Sequence, residues 1–555
     1  MIERLIKGAG GRGLAWALLG FGMLVSAAVC LYVTRGTTFS GDESTWVAFA
    51  PNMDLQVALE PHSGHLVLVS HLLYKLVLET IGSDYLTFRV LTLLTVFASV
   101  ALFFAWASRR IGHWLALAPC LVLLFFGSDT GHLLQGNGFT IMLAIACGMA
   151  ALVALDRDSR GGDVACCAAL CLGTVTYSTA LPFIVGVAVI VLARSDRWKR
   201  AWVFLVPAAI YVAWRVWVQI DGVDFTRGGA DPANLLLLPA WTFQSLSGVL
   251  SALTGLNYNF QGGGWVGPTE LAGPSLALAF VLALGWRVSR GTDGVAFWAV
   301  VAIALAMFAS QVLTWIPGVR EAGTSRYLFP GAFVVLIVAV EAVRGRRASP
   351  TAFVAVWLVA LAGFGSNVMI VRDTGATLRN RAVEAGLDVT AARLVHGMGY
   401  FPPGPNAKPL ASLVEDPALS IMGGAARRYG GLGTEPDQIA AQSPEFRAGL
   451  DAMLIQVIDP TMSPLPPGSV LRGCHPAARV GSSYVAEMRS GVRALRSERD
   501  GTLGIGRFGD EISSRVGSLP AGRPQAIGLP LPDEAPQPWK LSSDVPFEIC
   551  DKPAG

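Results

Sequence analysis

The sequence predicts an α-helical polytopic membrane protein with about eleven transmembrane helices and a C-terminal extracytoplasmic α+β soluble region. Three observations predict it. Of 555 residues, 53% are hydrophobic and only 15% charged, and the mean hydropathy is +0.51, too apolar for a water-soluble chain of this length. Apolar runs of near-spanning length recur as far as Ile370 and then stop. Basic residues gather in every second connection between those runs, the asymmetry that marks cytoplasmic loops.

The runs cover residues 14–33, 85–105, 114–126, 139–155, 164–176, 181–193, 202–218, 274–286, 295–313, 328–343 and 352–370. Arg4, Lys7 and Arg12 precede the first, which is too long for a signal-peptide core and is read as a retained span, although Ser26-Ala27-Ala28 imitates a cleavage site. The connections holding Arg109 and Arg110, Arg157 and Arg160, Arg194 to Arg200, Arg287 and Arg290, and Arg344 to Arg347 are assigned to the cytoplasm together with the N-terminus. Loops 35–84, 127–138, 221–271 and 314–327, and everything after 370, face outward. Residues 235–256 are apolar enough to span, but counting them would invert every later loop against the charge rule, so they are read as an outer re-entrant or interfacial segment.

This divides the chain into a transmembrane domain, 1–370, with a long first outer loop, 35–84; a partly helical extracytoplasmic region, 371–459; and a β-rich extracytoplasmic module, 460–555, that opens on a Pro-rich linker. Cys474 and Cys550 lie in that module and would be able to pair in an oxidising compartment, whereas the other six cysteines fall inside apolar runs and act as small hydrophobes. The net charge of +3 and the scattered basic clusters argue against a nucleic-acid partner.

The outer loops carry the candidate chemistry. The first opens on Asp42 and Glu43, and a carboxylate at the membrane surface can take the proton of an attacking hydroxyl; the plainer alternative is a helix cap. Residues 60–80 read as an interfacial amphipathic helix with Leu66, Val69, Leu73, Leu76 and Val77 on one face and His71, Lys75 and Glu79 on the other. Lys75 would either hold a lipid phosphate there or pair with Glu79. Asp129 stands in a second outer loop rich in hydrogen-bonding groups, as site or as turn. Arg320, Arg326 and Tyr327 enter a late span, where Arg forks suit phosphate and Arg and Tyr also serve as interface anchors.

Two further signals are discounted. Gly504 to Gly509 fits G-x-G-x-x-G but lacks a strand–turn–helix unit and is read as a turn. His62 and His65 lack companions for a metal site, so no metal ion or other cofactor is assigned.

The first span, the acidic start of the long loop, the interfacial helix and the Arg326-Tyr327 entry to a late span together resemble the GT-C superfamily of membrane glycosyltransferases, which includes protein O-mannosyltransferases and bacterial lipid A aminoarabinose transferases. The resemblance implies sugar transfer from a polyprenyl-phosphate donor to a glycan, lipid or protein acceptor at the outer face of the cell membrane, with inversion at the anomeric carbon. It implies Asp42 as base, with Glu43 less favoured, Asp129 as accessory acid, and Lys75, Arg320, Arg326 and Tyr327 at the donor phosphate within the surrounding membrane lipid. The alternatives are a polyprenyl-linked polysaccharide polymerase or ligase, whose outer-loop Arg and His residues would do the chemistry, and a transporter or flippase. Arg89 and Arg215 lie near the ends of their spans rather than at mid-membrane, against the last.

Overall fold

A chain in lipid must satisfy its own backbone, and a long apolar helix does so within one segment. The computed structural model describes residues 10–129, 131–220, 230–257, 272–291, 294–318, 320–346, 348–397, 419–458, 460–466, 468–510, 512, 514–529 and 534–551. It divides into two compact units: Met1–Gly36, Asp54–Leu73 and Tyr85–Arg379 form the first, and Thr37–Met53, Tyr74–Asp84 and Asn380–Gly555 form the second. Arg4, Lys7, Thr130, Arg347, Asp459 and residues 221–229 and 258–271 of the third outward-facing loop lie outside the described residues.

The first unit is helical. Among the described residues, nine helices are long and apolar enough to cross a bilayer: Gly11–Val33, Tyr85–Ile111, Gly138–Leu155, Trp202–Ile220, Pro232–Thr254, Ala272–Ser289, Val295–Leu313, Ser325–Ala342 and Pro350–Val395. The expected runs 114–126, 164–176 and 181–193 fall in shorter helices, His113–Leu124, Arg160–Thr176 and Leu181–Leu192. Their common core is aromatic, with Phe103, Phe104, Trp106, Phe126, Phe183, Phe329 and Phe333 all sealed from solvent. Gly148 is required there, since a Cβ would stand 2.4 Å from the Phe183 ring.

The Leu238–Thr254 helix has both flanks held by hydrogen bonds. Asp231 N–H donates to Leu313 O, at the close of the Val295–Leu313 helix, while Asn257 Nδ2 donates to Ser128 Oγ in the 127–137 loop. That loop begins at Phe126, whose ring stacks on Phe329 in the first turn of Ser325–Ala342, at 5.1 Å. The flanks of the Leu238–Thr254 helix are thus held at the Leu313 end of the Val295–Leu313 helix and at the 127–137 loop, and its length and composition alone would let it span.

The opposite end, where the basic loops lie, is tied by ion pairs. Arg110 makes two bonds to Asp156, at 2.9 and 3.0 Å, and a third to Glu341, with its guanidinium over Trp106. Arg200 joins Asp163 and Asp158 in the same manner.

The second unit has two five-stranded antiparallel sheets, ordered β1-β8-β5-β10-β2 and β3-β4-β9-β6-β7, where β1 is Met462–Pro464, β2 His475–Pro476, β3 Ala478–Val480, β4 Ser483–Met488, β5 Gly491–Ser497, β6 Gly501–Gly506, β7 Ser514–Leu519, β8 Gln525–Leu529, β9 Trp539–Ser543 and β10 Phe547–Cys550. Buried positions alternate along β8 and β9, as a half-covered pleated surface requires. Cys474 and Cys550 are disulfide-bonded, joining the start of the module to its last strand. Helices Leu419–Tyr429 and Pro444–Ile458 complete the partly helical region, whose residues 398–418 lie outside the described set.

Two expectations need correction. The Pro350–Gly397 helix runs straight through the anticipated boundary at 370, because nothing in 371–397 breaks it, and the units part at Arg379 instead. The helix expected over 60–80 begins only at Leu68: Pro61 lacks an amide hydrogen, Ser63 and Gly64 take φ of 51° and 85°, and His62 and His65 close a tight antiparallel bridge. Its buried face is also rotated from the expected one. Ser70, His71, Tyr74, Val77 and Leu78 are buried, whereas Leu72 and Leu76 are exposed beside Glu79.

Candidate functional site

In the second unit, the acidic pair opens the Asp42–Phe49 helix immediately after Gly41, whose φ of 60° makes the turn into it. Successive positions in a helix point about 100° apart, so the two carboxylates take different surroundings. Asp42 is exposed and Glu43 is completely buried. Glu43 Oε2 accepts the Ser40 backbone N–H at 3.2 Å, and Oε1 accepts the Tyr74 hydroxyl at 3.3 Å. The Tyr74 ring is in turn packed edge-on against Trp46 at 5.0 Å. One carboxylate anchors the segment and its neighbour is presented.

Beside the pair lies a small cavity, about 10 Å³, lined by Thr38, Phe39, Ser44, Met422 and Gly433 among others. The Ser44 hydroxyl, buried at its wall, has no hydrogen-bond partner among the described residues. Lys75 is engaged in the fold: its Nζ is 3.0 Å from Glu79 Oε1 and 3.0 Å from Ala50 O. The Glu79 pairing that competed with the phosphate role is thus present.

In the first unit, Asp129 is fully buried and saturated. Oδ1 accepts the N–H groups of Gly131 and His132 at 3.1 and 3.0 Å, and Oδ2 meets His132 Nδ1 at 2.5 Å. With Nδ1 turned to the carboxylate, Nε2 is the ring's reactive nitrogen. The helices fix this loop from three sides: Arg89 donates to Leu133 O, Tyr85 accepts from Gly136 N–H, and Asn367 accepts from both the Ser128 amide and its hydroxyl. Sequence reasoning did not single out His132; its signal is an acid followed three residues later by a histidine in a short loop.

Arg320, Arg326 and Tyr327 come together at the same end of that unit. Arg326 stands 6.0 Å from the Tyr327 ring, and Tyr327 packs against Trp241 at 6.5 Å. Arg326 is exposed, while Arg320 reaches Thr314 O at 3.5 Å. Phe126 against Phe329 couples this group to the entrance of the Asp129 loop.

The discounted signals have structural occupations. The N–H groups of Arg507, Phe508 and Gly509, at the end of the G-x-G-x-x-G stretch, are filled by the buried Asp451 carboxylate at 2.7 to 3.0 Å, so this nest holds an internal anion. His65 Nδ1 bonds Ser178 Oγ at 2.7 Å and His71 Nδ1 bonds Ala58 O at 3.1 Å. Among the described residues, the one grouping of three potential metal ligands is Cys474, Glu548 and Cys550, and its two thiols are consumed in the disulfide.

No protein-family model and no curated protein sequence matches the chain. Among solved structures, the crystal structure of ArnT from Cupriavidus metallidurans bound to undecaprenyl phosphate is similar with a TM-score of 0.45 and 15% identity, covering 83% of this chain and 94% of that one. The apo form of the same protein gives a TM-score of 0.45 and 14% identity over 82% of this chain and 94% of that one.

Proposed function

We propose that this multi-pass membrane protein is a glycosyltransferase that moves a sugar from a polyprenyl-phosphate donor to a hydroxyl acceptor at the outer face of the cell membrane, with its N-terminus cytoplasmic. The observation that carries the reading is the division of labour in the acidic pair, with Asp42 exposed and Glu43 locked beneath it. Asp42 takes the acceptor's proton as the acceptor oxygen bonds to the anomeric carbon. The carbon–phosphate oxygen bond breaks, its electron pair leaves with the phosphate, and the sugar inverts in a single displacement. In the helical unit, Arg326 and Arg320 with Tyr327 offer the guanidinium forks and hydroxyl that suit a donor phosphate. Glu43 positions the segment, and Lys75 holds the interfacial helix through Glu79 and Ala50.

A second reading has one observation in its favour. A buried Asp129 orienting His132 supplies a base in the same unit as the arginines, as the polymerase or ligase alternative requires. Both readings are tested by incubating membranes that carry the chain with radiolabelled polyprenyl-phosphate sugars and determining the anomeric configuration of the product. Chain-dependent transfer with inversion is expected; transfer with retention, or none with any donor, refutes the single-displacement reaction.

A further inference from the structure

A cavity of about 320 Å³ opens at the end of the helical unit opposite the Asp129 loop, where the basic connections lie. Its wall is made by helix ends: Arg110 sits in the last turn of Tyr85–Ile111, Asp156 caps Gly138–Leu155, Glu341 closes Ser325–Ala342 and Val295 begins Val295–Leu313. Helix ends of this kind mark the level of lipid headgroups. The lining is amphipathic. Leu152, Leu155 and Ile190 form an apolar side, and three arginines, Arg110, Arg194 and Arg344, are matched by three acids, Asp156, Asp158 and Glu341.

These charges are not equally committed. Arg110 is nearly buried and is occupied by its bidentate grip on Asp156 and its bond to Glu341. Arg344 meets Glu341 at 3.5 Å with half its side chain exposed; Arg194, one-third exposed, pairs with Asp158, whose carboxylate also takes Arg200 on the same Oδ1 and is 59% exposed. The mouth thus retains the remaining N–H groups of Arg344 and Arg194 and the second oxygen, Oδ2, of Asp158, while the lining set as a whole is neutral.

We propose that this cavity binds an amino-phospholipid, the phosphodiester against Arg344 and Arg194, the primary ammonium against Asp158, and the upper acyl chain along Leu152, Leu155 and Ile190. An anionic headgroup offers no cation to Asp158 Oδ2. A choline headgroup has no N–H to give that carboxylate. Arginine forks supply the phosphate recognition, as in other headgroup pockets between membrane helices. The proposal is independent of the sugar-transfer reading, because none of these residues is assigned to that chemistry.

The test is native mass spectrometry of the detergent-purified full chain with dioleoyl phosphatidylethanolamine, phosphatidylglycerol or phosphatidylcholine, and with soluble phosphoethanolamine as competitor. Wild-type chain is expected to retain one phosphatidylethanolamine in preference to the other two, and Arg344→Gln to lower its affinity by about tenfold or more, the loss that follows removal of one charge-assisted bond. Arg346→Gln, an exposed neighbour outside the lining, controls for simple charge loss and is expected to bind as wild type. Equal retention of phosphatidylglycerol, unchanged binding by Arg344→Gln, an equal loss in Arg346→Gln, or full displacement by phosphoethanolamine overturns the proposal.

Discussion

His132 Nδ1 and Asp129 Oδ2 stand 2.5 Å apart, and the other oxygen of the same carboxylate holds the amides of Gly131 and His132. A single buried acid therefore fixes both the backbone of the second outer loop and the orientation of its imidazole. Asp129→Asn keeps the size but replaces an acceptor oxygen with an NH₂ donor, so the ring loses its partner or turns over. We expect Asp129→Asn and His132→Gln each to slow sugar transfer by about tenfold, with the thermal midpoint lowered in Asp129→Asn alone. Equal midpoints for all three proteins would show that the carboxylate does not hold the loop.

Glu43 should behave as an anchor. Glu43→Ala withdraws an acceptor from both Tyr74 and the Ser40 amide in a fully buried site, a loss of about 2 kcal/mol that thermal unfolding in detergent would register. Glu43→Gln retains an acceptor oxygen and should recover most of that stability and of the activity. Full inactivity of a stable Glu43→Gln would move the base from Asp42 to Glu43.

His71 makes the protein sensitive to acid. Burial pushes its imidazole from 6.5 down to about 4; the bond to Ala58 O opposes this and the charge of His62 adds to it. The folded chain therefore favours the neutral ring. Its contribution is complete above about pH 6.5 and declines as pH falls toward 4, by up to roughly 3 kcal/mol. Thermal midpoints recorded between these limits should drop with acidity in the wild type and drop less in His71→Gln; parallel curves for the two proteins would contradict it.

Arg110→Met takes from Glu341, which is 3% exposed, its closer cation and leaves it Arg344 at 3.5 Å. Losing every partner of a buried carboxylate costs about 3 to 5 kcal/mol and Arg344 offsets part of this, so the variant should unfold below wild type, and adding Glu341→Gln should restore part of the difference. Calorimetry of the single and double variants measures the coupling; additive losses would mean that the pair is not energetically linked.

The long spans were legible because an apolar run of spanning length has few alternatives in lipid; residues 235–256, kept out of the count on charge alternation, lie mostly in a helix that length and composition would also let cross. The 60–80 stretch was misjudged because its pattern of leucines outweighed Pro61 and Gly64, which end any helix there, and because Tyr74 and His71 proved to be the buried side. Asp42 and Glu43 were visible as a pair, but their separate environments depend on Tyr74, which lies 31 residues away. Asp129 was found as a residue type, while its lock on His132 exists only once the loop closes. No local pattern announces that Thr37–Met53 and Tyr74–Asp84 belong with the C-terminal residues in one compact unit.

The base assignment is tested most directly by measuring sugar transfer in membranes with matched amounts of wild-type, Asp42→Asn and His132→Gln protein, using the donor that the wild type accepts. Loss of a general base lowers the rate by about a hundredfold or more. Asp42→Asn is expected to fall that far, well below His132→Gln. Wild-type rates from Asp42→Asn, with transfer abolished in His132→Gln, would contradict the account and give the proton to the histidine.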